Sequence, residues 1–133
     1  MELVDKLNFN EKGLIPSIIQ DSKTGKVLTL CYMNKEALQK SFEKGKMFVF
    51  RRSKGKLMLK GEISGCIQLI ESVYVDCELN SLLFKVEQIR AACHKGYFTC
   101  YFRQVDKKGN EKIVEKRVSI TIRSYPEAYS LIN

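Results

Sequence analysis

Apolar and polar residues alternate along much of this chain, and a period of two is the mark of half-buried strands. LIPSIIQD (14–21) and VLTLCYM (27–33) are two such runs. Asp21-Ser22-Lys23-Thr24-Gly25 stands between them, rich in turn formers, so the two runs are predicted to pair as a hairpin. The spacing then becomes helical. In KEALQKSFEK (35–44), Ala37, Leu38, Ser41 and Phe42 make a modest buried stripe, Asn34 is the expected N-cap and Gly45 the terminator. Strand-like runs follow: MFVF, KLML, CIQLIESVYVDC, SLLFKVEQI, YFTCYFRQ and KIVEKRVSITIRS, with SKGK and KKGN as turns. PEAYSLI predicts a short terminal helix with Pro126 in its first turn. The expected class is α+β, a mainly antiparallel β domain with one principal helix.

A length of 133 residues suits a single domain, 1–133, able to bury an ordinary core. No internal repeat, linker or low-complexity segment interrupts it. MELVDKLNFNEKG lacks the basic start and apolar centre of a signal peptide, and no apolar run approaches the roughly 20 residues that span a membrane. A cytoplasmic location is expected. There thiols stay reduced, so five cysteines read as metal ligands, core residues or nucleophiles rather than disulfides.

The net charge of +8 calls for an anionic partner. Lys44, Lys46, Arg51, Arg52, Lys54, Lys56 and Lys60 concentrate it in one acid-free run. That run is either a phosphate-binding surface or a solvated basic hairpin. Phe48, Phe50, Tyr97 and Tyr101 could stack bases beside the cations, which keeps nucleic acid among the partner classes.

The cysteines carry the sharpest chemistry. Cys77 lies in VDCELN, Cys93 and Cys100 in AACHKGYFTC, where Gly96 permits a tight reversal between them. Three convergent thiolates would hold zinc with a fourth position open to water, an arrangement suited to hydrolysis. If VDCELN is extended, Asp76, Glu78 and Asn80 face one side, offering oxygens to Mg²⁺, and Cys77 faces the other. The alternative is a strand ending in a polar turn at Leu79-Asn80-Ser81. Cys31 reads as core packing, and Cys31 or Cys66 would have to supply any fourth thiolate. His94, the one histidine of the sequence, adjoins Cys93 and is placed for proton transfer near neutral pH.

Taken together, GLIPSIIQD, VLTLCYMNKEAL, RRSKGKLMLKGEISG, VDCELNSLLFKVEQ and ACHKGYFTCYFR resemble the phosphoribosyl-AMP cyclohydrolase family in order and nearly without gaps, from about Gly13 to Arg103. That family catalyses the third step of histidine biosynthesis, adding water to open the six-membered ring of an N1-phosphoribosylated adenine nucleotide. The resemblance implies zinc on Cys77, Cys93 and Cys100, one thiolate coming from the other subunit of an intertwined homodimer. It implies Mg²⁺ on Asp76, Glu78 and Asn80, where the family usually has three aspartates. It further implies substrate contacts by Arg52, Ser53, Lys54 and Lys60 near two phosphate groups, and by Glu62, Ser64 and Gly65 near the ribose or ring. His94 would shuttle the proton.

The chain departs from the family at Phe50 and Met58, where tryptophans are common, at Leu59, often histidine, and at Cys66, commonly His or Asn. Asn80 removes a charge from the magnesium position and Glu78 lengthens an arm, so weaker Mg²⁺ binding is expected. Two rivals follow from these features: a hydrolase of the same fold acting on another purine-like nucleotide, and a zinc-stabilised nucleic-acid-binding module. Residues 104–133 lie beyond the resemblance. Val114, Val118, Ile120 and Ile122 alternate enough there to cover a sheet edge, with no chemistry legible in them.

Overall fold

The computed structural model describes residues 1–61 and 66–118. The elements run α1 (Glu2–Lys6), β1 (Ile15–Asp21), β2 (Val27–Met33), α2 (Lys35–Lys44), β3 (Phe48–Arg51), β4 (Lys56–Leu59), β5 (Gln68–Val75), β6 (Leu82–Gln88), β7 (Arg103–Val105) and β8 (Glu111–Ile113). The predicted terminal helix, Ile120 and Ile122 lie outside the described residues.

The predicted hairpin forms as β1 and β2, closed where the Asp21 carboxylate accepts from the Thr24 amide and hydroxyl. The helix has the expected bounds. Asn34 Oδ1 accepts from the Ala37 amide at its start, and Gly45 ends it in the left-handed region at φ 71°. Of its stripe, Ala37, Leu38 and Ser41 are buried while Phe42 remains exposed at one edge. Buried Ser41 is satisfied twice over: its hydroxyl donates to the Ala37 carbonyl and accepts from the Phe48 amide at 2.9 Å. Helix α2 is thereby tied to the start of β3.

One four-stranded sheet carries the fold in the order β2-β1-β6-β5. Two of its pairings are antiparallel, as expected, but β1 and β6 run parallel, from Ser17 opposite Leu82 to Asp21 opposite Val86. The architecture is thus a mixed sheet with two helices, one principal, which keeps the α+β class. Alternation specifies a strand's faces and says nothing of its neighbour's direction, so the parallel pair was not legible. Helix α1, also unforeseen, packs Leu3 and Val4 onto the core beside α2.

The sheet's inner face presents Ile15, Ile19, Met33, Leu82, Phe84 and Val86, all buried, to Leu38 and Met47. Each such side chain removed from water contributes about 1.5–3 kcal/mol before the entropy cost. The β3–β4 hairpin hangs from this body through residues 45–47: the Met47 amide donates to Gln68 and the Ile70 amide to Gly45. Gly61 then turns at φ 83° where an added Cβ would fall 2.5 Å from the Cys66 carbonyl oxygen, so only glycine permits that approach.

Two predicted strands are cut short, KIVEKRVSITIRS among them, which is a strand only to Ile113 within the described residues. YFTCYFRQ is a strand only from Arg103 onward, and residues 97–102 fold back instead. Extended residues five apart would be separated by roughly 17 Å. The Tyr97 and Phe102 rings instead stack at 3.9 Å. The Tyr101 amide turns onto the Thr99 hydroxyl, a local bond that competes with a ladder. VDCELN takes the polar-turn alternative, because β5 ends at Val75 and a turn follows.

Candidate active site

A cleft of about 1230 Å³ lies between the edge of β2, the β3–β4 hairpin and the loop that carries Cys93 and Cys100. Arg52, Ser53, Lys54 and Lys60 line it together with Cys93, His94 and Cys100, so residues predicted from distant parts of the sequence meet on one surface. Arg52, Ser53 and Lys54 are exposed on the hairpin turn, and Lys60 is half-buried just after β4.

Cys93 and Cys100 come together through the Gly96 reversal. Gly96 adopts φ 93°, its amide donates to the Cys93 carbonyl, and the Cys93 amide donates to Tyr97. The Cys100 amide donates to Leu28 at 2.7 Å, pinning the end of the loop to β2. The two thiols are hydrogen-bonding neighbours within one small cluster that includes Tyr97 and Phe102. Burial pushes the Cys100 thiol above its ordinary range and the Cys93 neighbour adds to this, while the Thr29 hydroxyl and Lys60 pull it back. The Lys95 amide points at Cys93 Sγ at 3.4 Å. His94 is exposed at the cleft wall.

Cys77 is elsewhere, exposed in the β5–β6 turn and not a wall of the cleft. Among the described residues no three His, Cys, Asp or Glu side chains gather into a metal-binding group, so the three thiolates do not converge within one chain. Of the two readings of VDCELN, the polar turn forms and the alternating faces of Asp76, Cys77, Glu78 and Asn80 do not. Asp76 Oδ1 accepts from the Asn80 and Ser81 amides, and Leu79 takes φ 58°, which makes the hexapeptide a capped polar turn. Desolvation opposes ionisation of Asp76, but the amides of Asn80 and Ser81 outweigh it and hold the carboxyl below its ordinary value. Glu78 and Asn80 remain beside one another, the Asn80 amide nitrogen 3.4 Å from Glu78 Oε2. Asn8 fastens the tip by donating its backbone and side-chain amides to Leu79 and Glu78. Glu62, Ser64 and Gly65 lie outside the described residues.

The cleft also takes in Tyr32, which no sequence reading had singled out, and Cys31, read from the sequence as core packing or a fourth thiolate. Tyr32, which stands opposite Pro16 on β2, lies under the Arg52 guanidinium at 4.1 Å. The signal for it was a tyrosine on the outward phase of an edge strand, next in chain order to the helix that precedes the basic hairpin. Cys31 is packed against the core as expected, yet it also forms part of the cleft floor. Its Sγ donates weakly to the Ser17 carbonyl at 3.6 Å, and burial pushes its pKa from 9.0 up to about 12 against the pull of Lys60.

The chain's relatives bear on this arrangement. A sequence model of the phosphoribosyl-AMP cyclohydrolase family matches residues 29–102, a span that includes the hairpin, the β5–β6 turn and the cysteine loop. The histidine biosynthesis bifunctional protein HisIE of Thermoanaerobacter pseudethanolicus is 50% identical over 109 residues, covering 82% of this chain and 50% of that protein. The chain therefore spans about half the length of that bifunctional relative. Phosphoribosyl-AMP cyclohydrolases of Chlorobium phaeovibrioides and Pelotomaculum thermopropionicum are 43% and 42% identical, over 84% and 86% of this chain and 82% and 88% of theirs. The chain belongs to the phosphoribosyl-AMP cyclohydrolase family, hydrolases of histidine biosynthesis.

Proposed function

We propose that the protein opens the purine ring of 1-(5-phosphoribosyl)-AMP by zinc-dependent hydrolysis, giving the phosphoribosyl-formimino imidazole carboxamide nucleotide. The observation that carries this reading is the convergence on one cleft of paired thiols, the histidine and four residues of the basic hairpin. The donor set fits zinc: Cys93 and Cys100 are adjacent soft ligands, and Cys77 is exposed and free to approach the site of a second chain. Bound there, zinc would supply the Lewis-acid activation of water that ring hydrolysis requires.

The chain's own residues do the rest. Water adds at C6 of the ring, the C6–N1 bond breaks, and His94 moves the proton that N1 must gain. Arg52, Lys54 and Lys60 neutralise the two phosphate groups, with Arg52 able to bind bidentately. Ser53 offers a hydroxyl beside them, and Phe50 presents a ring for stacking. Glu62, Ser64 and Gly65 are proposed near the ribose or ring. Asp76, Glu78 and Asn80 would hold Mg²⁺ through the oxygens not committed to the turn, a hard cation that keeps several waters and needs few protein ligands.

Two observations support a homodimer. Cys77 is separate from Cys93 and Cys100 within the chain. Leu30, Ile18, Leu83 and Tyr74 also align across all four strands on the outer sheet face, Leu30, Ile18 and Tyr74 being exposed there. No helix among the described residues is long and apolar enough to cross a membrane. The proposed location is the cytoplasm, whose reducing conditions suit five cysteines that form no disulfide.

The test is turnover of phosphoribosyl-AMP followed by ultraviolet absorbance, with the product identified by mass. Ring opening confirms the reaction. A folded protein inert toward this substrate but active on another N1-substituted purine would favour the divergent hydrolase, which Met58 and Leu59 in the cleft wall make the second reading.

A further inference from the structure

Residues 114–118 lie beyond the span matched by the family model, yet they are bound to the cysteine loop at several points. The Val114 amide donates to the Phe102 carbonyl at 2.9 Å, and the Val118 amide to the Gly96 carbonyl at 2.7 Å. Arg117 bridges Tyr97 in an isolated antiparallel pairing, with its guanidinium 5.4 Å from the centre of the Tyr97 ring. Tyr97 is therefore held between Arg117 and the stacked Phe102 ring. Glu115 anchors the segment to the start of β2 through an ion pair with Lys26 at 2.8 Å. The same stretch of β2 receives the loop's other end, because Thr99 donates to the Val27 carbonyl and the Cys100 amide to Leu28.

These contacts surround the reversal that sets the separation of Cys93 and Cys100. Gly96 takes φ 93° within it, and it is the Gly96 carbonyl that Val118 caps. A two-thiol site on an unsupported glycine loop would lose loop entropy on binding metal; a braced loop has already lost it. We infer that residues 114–118 form a strap, with Arg117 and Glu115 as positioning residues, that fixes the Cys93–Cys100 reversal in the geometry for metal. The inference rests on the zinc reading of the site, and neither residue touches the metal or the substrate. Supporting groups around a metal site commonly change its affinity by about 10–100-fold when removed.

The test uses the full chain and zinc alone. Zinc release into excess chelator is timed for the wild type, Arg117→Ala, Arg117→Lys, Glu115→Ala and the charge swap Lys26→Glu with Glu115→Lys. Release about tenfold faster for Arg117→Ala is expected, with a smaller increase for Glu115→Ala because its ion pair is partly solvated. Arg117→Lys, which keeps a cation over Tyr97, and the charge swap should both return toward the wild-type rate. Hydrogen exchange of the amides from Cys93 to Cys100 is measured in parallel on metal-free protein, and should quicken in Arg117→Ala. Unchanged exchange in Arg117→Ala, or loss of melting temperature with unchanged zinc release, would overturn the strap. A wild type that binds no zinc, with exchange quickened as expected, would overturn the metal reading and its consequence for release while leaving the brace itself in place.

Discussion

The Arg52 guanidinium lies 4.1 Å from the centre of the Tyr32 ring, joining the basic hairpin to the edge strand across the mouth of the cleft. Stacking restrains a long side chain without using its N–H groups, so the fork stays available to a phosphate. Arg52→Ala should raise KM for phosphoribosyl-AMP by about 10–100-fold, as loss of a charged hydrogen bond implies, with kcat much less affected. Tyr32→Leu, which leaves the cation but removes its platform, should raise KM only about threefold. Steady-state kinetics of both variants check this, and a kcat loss in place of the KM rise would contradict it.

His94 stands at the cleft wall in the residue position after Cys93. His94→Gln keeps a polar side chain without a titrating nitrogen. It should lower kcat about 100-fold or more, with zinc content and KM unchanged. Metal analysis alongside kinetics distinguishes a proton-transfer role from support of the neighbouring thiolate.

Cys31 ties stability to alkaline pH. Its thiol ionises at 9.0 when unfolded and at about 12 in the folded chain. Above 9.0 the unfolded state sheds a proton that the folded state keeps. The thiol's contribution is therefore full below 9.0 and is lost as pH rises toward about 12. The loss could reach about 4 kcal/mol, one pKa unit being worth about 1.4 kcal/mol. Denaturant unfolding across this range should show a steeper decline for the wild type than for Cys31→Ala. Parallel slopes would show that the thiol is not the titrating group.

What the sequence disclosed divides along physical lines. Short-range signals were legible: the Asp21–Gly25 turn, the Asn34 cap, the Gly45 terminator and the hairpin around SKGK. Each is decided by residues a few positions apart. The parallel β1–β6 pairing was not, since it depends on which strand finds which neighbour over more than sixty residues. At the site, Cys93, His94, Cys100 and the hairpin cations meet in one cleft, whereas the geometry supposed for Asp76, Glu78 and Asn80 yielded to local bonds. A carboxylate that can cap its own turn competes with extension, and here the turn wins.

The separation of Cys77 from Cys93 makes a sharp prediction about assembly. Cys77→Ser and Cys93→Ser should each be inactive alone. Dissociated and reassembled together, they form mixed dimers in which one of the two shared sites has all its thiolates. Recovery of roughly a quarter of wild-type activity is expected from random pairing. Size-exclusion chromatography confirms that dimers have re-formed, and dimers that recover nothing would exclude a shared site.

The most direct measurement is phosphoribosyl-AMP turnover by the protein as purified, after zinc is chelated away, and after zinc is restored. Chelation should abolish ring opening and zinc should recover it, whereas Mg²⁺ alone should not. Full activity in a protein shown by metal analysis to contain no zinc would contradict zinc-dependent hydrolysis.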